Sequence, residues 1–98
     1  MASKTIANTA SELLPPNGNR LSFIVQNEDT TIDVFIKKER QDALSVSTTD
    51  HDHRLGPGDA VGVSQNEDGE EVVRARWTVI AASGTPRISF YESESIRR

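Results

Sequence analysis

The stretch STTDHDHRLGPGDAV, Ser47 to Val61, holds both histidines of the chain. His51 and His53 stand two positions apart, so on a strand their rings would project to the same side and could reach one metal ion. Asp50 and Asp52 would point the other way and serve only as outer groups. A catalytic transition-metal site uses three fixed protein ligands and an open position. No third histidine exists here, and Asp59, the next carboxylate, falls in a GPGD turn. The stretch therefore reads as a polar loop descending into a bend, with Pro57 pre-setting φ and Gly58 accepting a positive one. Neither a metal nor another cofactor is expected.

Two histidines followed by a glycine turn have a faint likeness to the cupin metal motif, but the downstream carboxylate and later histidine of that motif are missing. Other catalytic constellations are missing too. The chain has no cysteine, hence no thiolate nucleophile and no disulfide framework. It has no GxSxG elbow and no phosphate-cradling glycine loop. The tetrapeptide QNED occurs at Gln26–Asp29 and again at Gln65–Asp68, each time after an alternating segment. These carboxylates suit exposed hairpin tips and lack the spacing of a calcium loop. No catalytic residue is assigned, and the chain is expected not to be an enzyme.

The elements carrying these residues read as short strands. RLSFIVQN places Leu21, Phe23 and Val25 on one face and Ile24 on the other. TIDVFIK sets Ile32, Val34 and Ile36 against Phe35. AVGVS contributes Val61 and Val63, VVRARWTVIA sets Ala75, Trp77 and Val79 against Arg74, Arg76 and Ile80, and RISFYES sets Ile88 and Phe90 against Tyr91. Turn formers separate these runs, and none sustains a helical period. KKERQDALSV has too few apolar positions for a helical stripe and fits a loop or distorted strand as well. The fold class expected is all-β, a small antiparallel sandwich or jelly-roll-like barrel of about six to eight short strands. Residues 1–16 read as an N-terminal arm or leader strand, 17–92 as the sandwich, and 93–98 as a polar tail.

Composition narrows the partners. With 11 basic and 15 acidic residues the formal charge is -4, which argues against a phosphate-backbone binder. The first residues lack an apolar run long enough for a signal peptide or membrane span, so a soluble product made in a cytosol is expected. No nucleic acid and no membrane are expected as partners.

The stretch TASELLPPNGNRLSFIVQN, with LGPGDAV in the middle and WTVIAASGTPRISFYE near the end, resembles small tailed-phage virion proteins. These are β-sandwich head-fibre, capsid-decoration or tail-associated modules. Asn19–Arg20 opening the first long strand, Gln26–Asn27 ending it, Leu55–Gly58 and Ala81–Thr85 match the turn pattern of that family. The segment from Lys37 to Arg54 has no counterpart there, which makes it a candidate for the module's own contacts. The resemblance implies a non-enzymatic structural protein of the virion, made in the host cytoplasm and attached in several copies to a major capsid or tail protein. A carbohydrate- or receptor-binding module on a fibre tip, using the Lys37–Arg54 loop, is the alternative.

Two groups of residues carry these expectations. Asn19, Arg20, Pro57, Gly58 and Gly84 form a structural turn framework, in which the Arg20 guanidinium binds turn carbonyls or a nearby carboxylate, or instead a ligand's carboxylate. Ile24, Phe35, Ile80 and Tyr91 are large apolar residues at outward positions and form an interface for a homo-oligomer. Three-fold assembly follows from the phage resemblance. In the competing account, residues 4–14 of the leader cover the same patch. Arg74 and Arg76, outward beside Trp77, would pair with Glu70 or Glu71 of a neighbouring copy.

Overall fold

A computed structural model describes residues 2–40 and 43–94. Among these described residues eight strands run in chain order: β1 (Ala2–Thr5), β2 (Ser11–Leu14), β3 (Arg20–Asn27), β4 (Val34–Glu39), β5 (His53–Leu55), β6 (Ala60–Ser64), β7 (Arg76–Ala81) and β8 (Arg87–Glu94). Two short helices, α1 (Gln65–Asp68) and α2 (Glu70–Arg74), bridge β6 and β7. The strands form two four-stranded sheets, ordered β1-β8-β3-β6 (sheet A) and β2-β7-β4-β5 (sheet B).

The pairings are nested: β1 with β8, β2 with β7, β3 with β6, and β4 with β5, all antiparallel. β8 also pairs β3, and β7 pairs β4. A chain folded back on itself as one long hairpin and then rolled into two sheets yields this order, which is the jelly roll. The all-β sandwich expected from alternation is the fold observed.

Alternation also selects the core. Phe23 and Val25 of β3, Val34 and Ile36 of β4, and Trp77 and Val79 of β7 are all buried between the sheets. Trp77 meets Phe23 edge-to-face at 5.1 Å between ring centroids, a favoured aromatic geometry. The Trp77 indole N–H donates to the Val72 carbonyl at 3.1 Å, so the polar end of this large side chain is satisfied. Phe90 is partly buried and packs against the same cluster.

Three departures from simple alternation have local causes. The β3–β8 register shifts between Arg20 and Ser22, and this bulge turns Leu21 outward, 37% exposed, while Arg20 goes in. Leu21 is therefore not on the core face. Residues 70–74, read above as turn and strand, are α2, and its Val73 is fully buried. The second QNED forms α1, whose N-cap Ser64 accepts from the Glu67 amide; the first ends β3 and enters a loop.

The leader is built into both sheets. β1 lies at the edge of sheet A against β8 and β2 at the edge of sheet B against β7, with buried Ile6 between them. β8 runs to Glu94. The remaining tail, 95–98, lies outside the described residues, as do 41 and 42 of the middle segment.

Candidate interaction surface

Two buried polar side chains close the ends of β3. Arg20 is fully buried. Its Nε donates to Glu92 at 2.6 Å, its Nη1 to the Val73 and Ala75 carbonyls at 2.9 Å each, and its Nη2 to the Pro15 carbonyl at 2.6 Å. One guanidinium thus fastens β3 to β8, to the leader and to the C-terminal end of α2, where carbonyls lack helical partners. Asn19 opens the strand through its amide, which donates to the Asn17 side chain. At the other end Asn27, also fully buried, donates from Nδ2 to the carbonyls of Ile32, Leu55 and Gly56. Its backbone carbonyl receives the Gly58 amide at 3.0 Å. Gly58 holds φ 79° after Pro57, and Gly84 holds φ 61° before β8, so both turns use glycine for a left-handed backbone. All these residues serve the scaffold, and Arg20 is enclosed by protein acceptors rather than open to a ligand.

The outer face of sheet B is covered by the chain itself. After β4, residues 43–52 cross back over it. Glu39, at the end of β4, is buried and accepts from the Ser45 and Val46 amides and from the hydroxyls of Ser45 and Thr78. Burial would raise this carboxyl, but the bonds from Ser45 and Thr78 outweigh it and hold Glu39 below its ordinary value. Lys37 reaches Ser45 and Asp50 at 2.7 Å each, and its ammonium is held above the ordinary lysine range, chiefly by the bond to Asp50. The Asp52 carboxylate accepts the Lys38 amide at 2.7 Å. The Lys37–Arg54 segment is thus a strap over the sheet.

The strap settles the positions of the histidines and of two interface candidates. His51 precedes β5 and lies on the outer face, its ring 4.5 Å from that of Phe35. His53 is in β5 opposite Ile36, and its ring stacks 6.0 Å from Trp77 on the inner face. The two histidines do not share a side, contrary to their spacing, because strand geometry begins only at His53. Among the described residues no group of three or more histidines and carboxylates is placed to hold a metal ion. Phe35 and Ile80 do face outward as a cross-strand pair, yet Phe35 is only 6% exposed.

Ile24 and Tyr91 form a separate pair on sheet A, so the four apolar candidates are not one patch. Nor do Arg74 and Arg76 share a strand. Arg74 is in α2 and pairs with Glu70 of its own helix, and Arg76 pairs with Glu12 at 2.9 Å.

Among the described residues nothing covers the outer face of sheet A. Ile24 is 45% and Tyr91 54% exposed, and the leader, lying along the edges, covers neither. The register arranges the face in rows across the strands: Ser93, Ser22 and Ser64; then Tyr91, Ile24 and Gly62; then Ser3, Ser89, Gln26 and Ala60. In a chain with 27% charged residues, these rows hold none. Charge appears only at the rims. At one end Arg87 faces Glu28 at 3.8 Å; at the other, Glu67 flanks a shallow groove of about 240 Å³ beside Ile24, Gly62 and Ser64. The sequence carried a signal for this face that alternation alone did not rank: apart from Arg87 at the rim and Leu21 at the bulge, the outward positions of β3, β6 and β8 are serine, glutamine, alanine or glycine around one isoleucine and one tyrosine. Such a surface can dock another protein surface without desolvating charge.

No protein-family model, no curated protein and no solved structure matches this chain.

Proposed function

We propose that the chain is a non-enzymatic structural protein of a phage particle, made in the host cytoplasm and attached in several copies to the capsid, as decoration or head fibre, or to the tail. The observation that carries this reading is the charge-free outer face of sheet A, with Ile24 and Tyr91 exposed at its centre. Further support comes from the jelly-roll strand order, an architecture that viral capsid domains share with lectins, and from the turn framework resembling small virion modules. Self-association as a homo-oligomer belongs to the same reading. Three-fold assembly rests on the family resemblance alone, since two exposed apolar residues set no copy number. Mass spectrometry of gradient-purified particles tests the proposal. The protein is expected there in many copies, and its confinement to the soluble lysate would overturn the reading.

One observation favours a carbohydrate-binding module as a second reading. Tyr91, 54% exposed among serines and Gln26, is an aromatic platform of the type sugars stack on. This moves the site from the strap to sheet A. A glycan array without hits rejects it.

A further inference from the structure

Gly62 occupies the interior of β6, and nothing within the molecule calls for a glycine there. Its backbone is ordinary, since the positive-φ glycines are Gly58, Gly69 and Gly84. The β3–β6 register runs without interruption from Ser22↔Ser64 to Gln26↔Ala60, so it marks no bulge. A Cβ built on it would meet only Ile24 Cγ1 at 3.8 Å and the Phe23 carbonyl at 4.0 Å, ordinary contact distances. Glycine in a strand sacrifices stability, and where the register shows no bulge it often marks the close approach of another group. Among the described residues no such group is present, and Gly62 is exposed.

What approaches is constrained by the row in which Gly62 lies. Tyr91, Ile24 and Gly62 are cross-strand neighbours on β8, β3 and β6, forming a knob, a centre and a hollow. We infer that the outer face of sheet A pairs with the same face of a second copy about a two-fold axis running along β3, so that Tyr91 of each copy seats on Gly62 of the other. Rotation about that axis exchanges the β8 and β6 positions and leaves Ile24 against its own counterpart. Every member of the row then has a complement: knob over hollow at two places and apolar contact at the axis.

Charge favours this occupant over an unlike partner. Two copies of a chain of net charge -4 repel one another through most pairs of surfaces. The rows around Ile24 are uncharged and do not. The rim charge Glu67, on the β6 side, comes over the Tyr91–Ser93 corner of the other copy rather than over its own twin, and Glu28, past the end of β3 on the axis, is offset by its neighbour Arg87. The three overlapping strands β8, β3 and β6, about 4.8 Å apart and some 20 Å long, give on the order of 300 Å² per copy, about a third of what one partner buries in a standard interface. The pair is therefore weak in free solution and strengthened where copies are held side by side on a surface. This inference gives the homo-oligomer proposed above a two-fold contact in place of three-fold assembly, and rests on no other part of that reading.

Sedimentation equilibrium from about 10 µM to about 1 mM protein, a range suited to weak association, is the test, run on the full chain. The parent is expected to rise from 10.8 kDa toward twice that mass. Tyr91→Ala and Gly62→Val should each weaken association at least tenfold. Because valine favours strands, Gly62→Val should melt no lower than the parent, which separates a filled hollow from a damaged fold. A parent that stays monomeric at the highest concentration overturns the inference, as does a dimer that both variants form as readily. Glycan binding by a monomeric parent that is lost in Tyr91→Ala would also overturn it and assign the face to sugar. A monomer found in purified particles sinks the paired face and spares the virion reading; a dimer missing from particles does the reverse.

Discussion

Arg20 shows how far one side chain can be specified by residues remote from it. Its position before an alternating run and after an asparagine turn is legible in the sequence, and so is a structural role for its guanidinium. Its complete burial is not, because two of its four acceptors are carbonyls at the end of α2, more than fifty positions away. Lysine cannot reproduce the arrangement, since its ammonium lacks the planar fork that reaches Glu92, Pro15, Val73 and Ala75 together. Arg20→Lys is expected to lose about 3–5 kcal/mol, the range for breaking a buried charge pair, measured by urea unfolding followed through Trp77 fluorescence. The histidines teach the complementary lesson. Their spacing suggested a shared side, but His51 lies tilted against Phe35 and His53 stacks on Trp77, across sheet B from one another. Elemental analysis of the purified protein is expected to find no stoichiometric transition metal. One zinc, iron or manganese per chain, lost on His53→Ala, would contradict that assignment.

At the scale of elements, strands announced themselves and helices did not. Period two persists over five or more residues in β3, β4, β7 and β8, long enough to read. α1 and α2 have four and five residues, too short to display a 3.6-residue period. The one usable signal was Ser64 followed three positions later by Glu67, an N-terminal capping pattern. The strap over sheet B had no periodicity to read, yet one carboxylate, Glu39, takes three of its hydrogen bonds. Because the folded-state pKa of Glu39 is depressed, its contribution is present above the ordinary value of 4.5 and is lost as pH falls through the lower folded value. The strap should therefore open only below pH 4.5. Lys37 works in the opposite sense: its raised value contributes below pH 10.5 and fails as pH climbs past it. Glu39→Ala should release the strap at neutral pH, since the Ser45 and Val46 amides lose their shared acceptor, at a loss of about 1–3 kcal/mol. Hydrogen exchange at those two amides checks both statements, with faster exchange in acid and in the variant.

For the whole molecule, alternation tells each strand which face to bury but not which strand to lie beside. The nested order closes on its most distant members, Ala2 pairing with Phe90 and Thr5 with Arg87, and no local pattern encodes a partner so far along the chain. This bears directly on the first ten residues. As a loose arm they could be removed without effect on the remainder. In the jelly roll they supply β1, which pairs the edge of β8, and Ile6, 1% exposed beneath the crossing between sheets. The Ile6 amide donates to the Pro86 carbonyl at 2.8 Å, and the Ala7 carbonyl accepts from Ala81 at 2.9 Å, so both sheets lose backbone partners when the segment is cut. Burial of an isoleucine alone contributes about 1.5–3 kcal/mol, and loss of the strand bares the edge of β8 to other chains. Deleting residues 1–10 should lower stability by at least that amount in urea and increase aggregation on heating. Ile6→Ala, which keeps β1 intact, should show the core share of the loss, about 2–5 kcal/mol, without the aggregation. If the truncated chain unfolds at the same urea concentration as the parent, the leader is an arm and the pairing of β1 with β8 contributes nothing to the fold.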